Sequence, residues 1–241
     1  MEQSFIHLEW DTKFFGFGVG RIVHAEMGEA ELSKTLEMLR NNNYRLVYWQ
    51  MPVGKQESSL IAQIQGGFLA DEKVTYVKEL VGMPDSQRAS AYTTHFYPET
   101  TPDAAMIELA LLSSEHSRFR LDPRFPRELC DKLYTCWITR SVSKEIALEV
   151  LVVKEHSDLL GLITLGTKGG RGDIGLMAVA EHARGKGIGR TLVTDADRFF
   201  EERGYTHIQV VTQRRNLAAC HLYESCGYKI EKVENVFHFW L

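Results

Sequence analysis

The chain is poor in everything that would point to a disulfide or metal scaffold. Its four cysteines, Cys130, Cys136, Cys220 and Cys226, form no C-x-x-C pair. Both six-residue spacings fall in stretches with helical periodicity, so structural thiols are expected rather than disulfides, and no metal. No apolar run approaches the roughly 20 residues that a membrane helix needs, and the opening MEQSFIHLEW lacks the apolar core of a signal peptide. These absences lead us to expect a cytoplasmic protein without a membrane partner. A net charge of −4 with no long basic run gives no electrostatic reason to expect nucleic acid. There is no Walker string and no G-x-G-x-x-G after a strand, which excludes the two commonest nucleotide loops. Internal repeats and low-complexity tracts are also missing.

What is present is ordinary globular composition, 44% hydrophobic and 25% charged over 241 residues, enough for one large domain or two small ones. Residues 17–24 alternate as a strand does. Leu32, Leu36 and Leu39 give Glu29–Asn42 a helical spacing, YRLVYWQMP reads as a buried strand, and Leu60, Ile61 and Ile64 mark another helix before Gly66-Gly67. Residues 68–81 are extended, so the first third reads β-β-α-β-α-β. The polar interval 82–91 is the expected linker. Beyond it come a strand at 92–99, a helix opened by Thr101-Pro102-Asp103, a second helix after Pro126, and strands at 145–154, 159–166 and 172–180. A long helix capped by Gly204, a strand at 206–212, a helix over Leu217–Cys226 and two strand-like runs at 228–234 and 236–241 complete the order. The expected class is α/β (α+β), with residues 1–90 a smaller N-terminal domain and 91–241 a second one.

The segment Arg184-Gly185-Lys186-Gly187-Ile188-Gly189 joins a strand to an amphipathic helix. Glycines there let several backbone N–H groups converge where the helix dipole is positive, a setting for phosphate. Arg190 adds a third basic side chain. Farther on, Asn216 opens a helix and Tyr223 lies two turns along the same face. A phenol can protonate a departing thiolate of similar basicity.

Arg184-x-x-Gly187-x-Gly189 resembles the pyrophosphate loop of the GCN5-related N-acetyltransferase (GNAT) superfamily. The string from Asn216 through Ala219 and Tyr223 to Gly227-Tyr228 resembles that superfamily's N-x-x-A-x-x-x-Y-x-x-x-G-Y/F segment. The resemblance covers about 150 residues from Tyr92. It implies a GNAT fold with a mixed, centrally splayed sheet, acetyl-CoA as acyl donor, and pyrophosphate held by six backbone amides of the turn at 184–189, with the side chains of Arg184, Lys186 and Arg190 adding charge. It further implies pantetheine laid along Met177, Ala178 and Val179 with help from Asn216, and Tyr223 as general acid. A narrower likeness, carried by Trp10-Asp11-x-x-Phe14-Phe15-Gly16, Ser117-Arg118-Phe119-Arg120 and Leu133-Tyr134-x-x-Trp137-Ile138, is to the TDP-fucosamine acetyltransferases. That likeness implies an acceptor amine on a dTDP-4-amino-4,6-dideoxyhexose, a nucleotide sugar of polysaccharide biosynthesis, with Phe15, Arg118 and Arg120 near it and the N-terminal domain as acceptor-binding unit. A homodimer is left open. The alternatives are acetylation of a peptide or polyamine amine, or a CoA-binding sensor without catalysis. No pattern identifies the base for the attacking amine: His7, Glu9, Asp11, Glu115 and His116 qualify by type alone.

Overall fold

The structure is a computed structural model that describes residues 4–80 and 92–241, so the expected linker at 82–91 lies outside the described residues. Two compact units emerge. Unit 1 comprises Met1–Val74 with Lys232–Leu241, and unit 2 comprises Thr75–Glu231. In chain order unit 1 holds β1 (Phe5–His7), α1 (Glu9–Phe15), β2 (Gly18–Ile22), α2 (Glu29–Asn41), β3 (Tyr44–Pro52), α3 (Gln56–Ile64) and the first part of β4 (Phe68–Glu79). Unit 2 holds the end of β4, then β5 (Thr94–Phe96), α4 (Ala104–Leu112), α5 (Arg118–Leu121), α6 (Arg127–Val142), β6 (Glu149–Glu155), β7 (Asp158–Lys168) and β8 (Arg171–Val179). It continues through α7 (Ile188–Glu201), β9 (His207–Gln213) and α8 (Leu217–Ser225) into β10 (Lys229–Trp240), which starts in unit 2 and ends in unit 1. Among the described residues no helix is long and apolar enough to cross a membrane.

In unit 1, β2 lies parallel to β3 and antiparallel to β1, and β10 runs antiparallel to β3 from Glu234↔Pro52 to Trp240↔Leu46. The leucine stripe of α2 seals this sheet: Leu32, Leu36 and Leu39 are buried against Trp49, Met51, Phe237 and Phe239. Two expectations are corrected here. The order β-β-α-β-α-β placed no helix before residue 29, yet the aromatic stretch at 9–15 is one, closed by Gly16 in the left-handed conformation (φ 77°). The two strand-like runs at 228–234 and 236–241 are a single strand, β10. No glycine or proline interrupts 229–241 to turn the chain, and the Asn235 amide is held by Ser59 Oγ at 3.4 Å.

In unit 2, β5, β6, β7 and β8 form an antiparallel run in that order, and β9 adds to β8 in parallel. The sheet is therefore mixed, and it opens at its centre. β8 and β9 are paired only from Gly172↔Ile208 to Ile174↔Val210. At that point β8 carries a bulge, where Gly175 and Leu176 together oppose Thr164, whose Oγ1 accepts from the Leu176 amide at 2.8 Å. A bulge inserts a residue and turns its strand away from the neighbour. Residue 175 is glycine because a Cβ there would stand 2.7 Å from that same Oγ1. From Gly175 to Val179 the β8 edge that faces β9 has no partner strand.

The long helix α7 packs across this sheet through Ile188, Leu192, Ala196, Phe199 and Phe200. Phe200 rests directly on the β8 backbone at Gly172, where a Cβ would come within 2.6 Å of the ring. Burial of such a side chain stabilises by about 1.5–3 kcal/mol, and here it fixes the start of β8 beneath α7. Near its C-terminal end, buried Asp197 accepts from Lys78 Nζ of β4 at 2.7 Å and from the Tyr228 hydroxyl at 2.6 Å.

Candidate functional site

A cavity of about 440 Å³ lies where the opened sheet meets the helix ends of unit 2. The unpaired end of β8 forms one wall through Met177, Ala178 and Val179. The loop into α7 forms the next, through Arg184, Gly185, Gly187, Ile188, Gly189 and Arg190. α8 contributes Asn216, Leu222 and Tyr223, and the end of α4 with the turn that follows it contributes Leu112, Ser113, Glu115 and His116. The residues selected from sequence for the donor thus converge, apart from Lys186, which is exposed and outside the lining.

The loop owes its shape to its glycines. Gly185 and Gly187 have φ of 76° and 90°, conformations that side-chain-bearing residues rarely adopt. Gly189 has a different reason to be bare: a Cβ would lie 3.1 Å from Leu222 of α8. The first helical hydrogen bond runs from Thr191 N to Gly187 O, at 3.0 Å. The amides of Ile188, Gly189 and Arg190 therefore have no acceptor within the helix. Those of residues 185–187 make no backbone hydrogen bond among the described residues. Six consecutive N–H donors at a helix start form an anion cradle.

The basic side chains behave differently from one another. Arg190 donates from Nη1 to Ser225 O and from Nη2 to Ser225 Oγ, each at 3.0 Å, and so ties α7 to the end of α8. Arg184 reaches back to Val179 O at 3.4 Å.

On α8, Asn216 caps the helix: its side-chain oxygen accepts from Ala219 N at 3.1 Å, leaving its amide NH₂ group for the cavity. Tyr223 is 4% exposed and its hydroxyl points to Met177 Sδ at 3.6 Å, a weak partner. Burial pushes its phenol well above the ordinary value, and Cys226 and Cys220 act in the same direction. The group stays protonated throughout the neutral range, as a proton donor must. Tyr76 and Tyr228 flank its ring at centroid distances of 6.0 and 5.7 Å, and the Tyr76 hydroxyl donates to Glu224 at 2.7 Å, steadying α8.

The residues named for the acceptor are not in this lining. Phe15 is buried in unit 1 among Phe14 and Phe17. Arg118 lies over the Phe119 ring, 4.6 Å from its centroid. The guanidinium of Arg120 is engaged by Asp131 and by Ser114 Oγ, the latter at 2.8 Å from Nη2. Sequence reasoning did not place Leu112, Ser113, Glu115 or His116 in the cavity. The run 113–116 carries no motif, so only its position in the fold reveals it.

Residues 110–228 match the model of the acetyltransferase (GNAT) family. Among curated proteins, the chain is 26% identical over 143 residues to the spore coat polysaccharide biosynthesis protein SpsD of Bacillus subtilis (strain 168), covering 59% of this chain and 49% of that protein. It is 28% identical over 145 residues to the dTDP-fucosamine acetyltransferase of Escherichia coli O6:H1, covering 59% of this chain and 60% of the other. The chain thus spans only about half to three-fifths of these relatives. Among solved structures, the GCN5-related N-acetyltransferase from Sphaerobacter thermophilus superposes with a TM-score of 0.59 at 14% identity, over 98% of this chain and 76% of that one.

Proposed function

We propose that this chain, whose residues 110–228 match the model of the acetyltransferase (GNAT) family, transfers an acetyl group from acetyl-CoA to the amine of a small molecule, a nucleotide-linked amino sugar of the dTDP-4-amino-4,6-dideoxyhexose type. One observation carries the transfer reading. A single cavity runs from six orphaned amides, along an unpaired strand edge, to a buried and protonated tyrosine.

These residues fit acetyl-CoA. The 185–190 amides suit its pyrophosphate. The free backbone edge of Met177–Val179 suits the amides of the pantetheine arm, which pair as an added strand does, and the Asn216 amide group is available beside it. Bound acetyl-CoA supplies the acetyl group as a thioester. The β8 amides polarise the acyl carbonyl, and Tyr223 gives its hydroxyl proton to the departing sulfur. The bulge at Gly175–Leu176 keeps β9 from closing the edge that this work requires.

For the acceptor, the names of the two curated relatives support a sugar of surface-polysaccharide synthesis. A cytoplasmic location, where acetyl-CoA and nucleotide sugars are made, follows from that reading. The division of labour we propose assigns acyl transfer to the C-terminal domain and acceptor binding to the N-terminal one. The test is thiol release from acetyl-CoA with dTDP- and UDP-amino sugars, beside spermidine and lysine peptides. Turnover confined to dTDP-amino sugars supports the reading. Turnover with spermidine or peptides alone replaces the acceptor, and acetyl-CoA binding without turnover on any amine makes the chain a sensor.

A further inference from the structure

An acid at Tyr223 leaves half of the proton traffic unassigned, because an alkyl ammonium must lose a proton before its nitrogen can attack. We infer that His116, on the turn between α4 and α5, is the base that takes it; the inference rests on the acyl-transfer reading.

Three observations converge on His116. First, it lines the same cavity as Tyr223. His7, Glu9 and Asp11, which qualified equally by residue type, belong to unit 1 and are not in that lining. Second, the turn that carries it is tied down by side-chain hydrogen bonds. Ser113 and Ser114 donate their hydroxyls to Ala110 O and Leu111 O, both at 2.6 Å, and Ser117 Oγ accepts from Arg120 N at 3.2 Å. Arg120 donates to Ser114 Oγ and to Asp131 of α6, which anchors the turn on the helix behind it. Third, within this fully bonded run His116 and its neighbour Glu115 have no side-chain hydrogen bond or ion pair among the described residues. His116 is half-buried and Glu115 exposed. A base needs its lone pair uncommitted, and a fixed turn holds it in place for the acceptor.

Between the two, imidazole is the better match. A neutral imidazole offers a nitrogen lone pair to the ammonium proton, and histidine is the side chain most often used for this step. The other charged and titratable side chains of the cavity lining are Glu115 on its own turn, Arg184 and Arg190 from the loop and α7, and Tyr223 from α8, while the Arg120–Asp131 pair holds Ser114 of the same turn. The β8 wall contributes none.

The protons balance. His116 takes one from the ammonium and later releases it to water. The nitrogen lone pair forms the C–N bond as the C–S bond breaks, and Tyr223 protonates the sulfur. The second nitrogen proton, lost as the amide forms, returns through solvent to the Tyr223 oxygen.

The experiment measures thiol release against pH for the full chain with whichever amine of the acceptor panel turns over. Wild type should lose kcat/KM toward acid pH. His116→Gln should lower it about 10²-fold and remove that acid limb, with acetyl-CoA affinity by calorimetry unchanged. His116→Ala should regain rate with added free imidazole. An unchanged rate and pH limb in His116→Gln, or the loss appearing instead in Glu115→Gln, overturns the assignment while leaving acyl transfer standing. Should no amine turn over with wild type, acyl transfer itself fails and His116 falls with it.

Discussion

The hydroxyl of Tyr223 lies 3.6 Å from the sulfur of Met177, which joins α8 to the unpaired end of β8 across the cavity. A thioether is a feeble acceptor, so the fold gains little from that hydroxyl. Tyr223→Phe should therefore lower kcat 10²-fold or more while thermal stability and acetyl-CoA affinity stay near wild type. Stopped-flow thiol release beside calorimetry separates the two, and an unchanged kcat would remove Tyr223 from the chemistry.

At the mouth of the loop, Gly187 holds φ at 90° and Gly189 stands against Leu222. Alanine at 187 meets a backbone strain of about 1–2 kcal/mol, relieved only by moving the amides that follow. Acetyl-CoA should bind about tenfold more weakly to Gly187→Ala, by titration calorimetry. Binding at wild-type strength would mean that the phosphates sit elsewhere.

Lys78 and Asp197 form a buried ion pair, at 11% and 1% side-chain exposure. Lys78→Met leaves a carboxylate in the core with only the Tyr228 hydroxyl, and a broken buried pair costs about 3–5 kcal/mol. Replacing both, as Lys78→Met with Asp197→Leu, should recover most of the loss in urea unfolding, because the charge is then gone as well.

Alkaline pH should expose the buried phenols. Burial raises Tyr223, Tyr228 and Tyr97 above their ordinary value, and Tyr76 is raised by burial and by its bond to Glu224. In the unfolded chain these groups ionise near pH 10. Their contribution is whole below that pH and is lost above it, as the unfolded chain releases protons that the folded one retains. Unfolding midpoints should therefore show no tyrosine-linked change from pH 7 to 9 and fall steeply beyond 10. A Tyr228→Phe variant should soften the fall.

Much of unit 2 was legible because its signals are local. Asp103 caps α4 through Met106 N at 2.8 Å, and the stripe from Ile188 to Phe200 gives α7 its buried face. Both depend on spacings of three and four residues. The short helices α1 and α5 were missed, because seven and four residues offer too few turns for a periodicity to register. Leu60 and Ile64 show the reverse failure. They gave α3 its helical pattern yet are 58% and 60% exposed, since the pattern marks a helix and not what covers it.

The sequence by itself determined the glycine loop and the seven-residue step from Asn216 to Tyr223, because backbone sterics and helical pitch act within a turn or two. Only tertiary structure decided that β8 parts from β9 at the bulge, that β10 is one strand shared between two units, and that Arg120 braces a turn rather than facing the cavity. It also decided that His116 and Tyr223 line one cavity. The partners in that last pair are about a hundred residues apart, a separation over which residue type and spacing carry no geometry and only the packing of α4 and α8 on the opened sheet does.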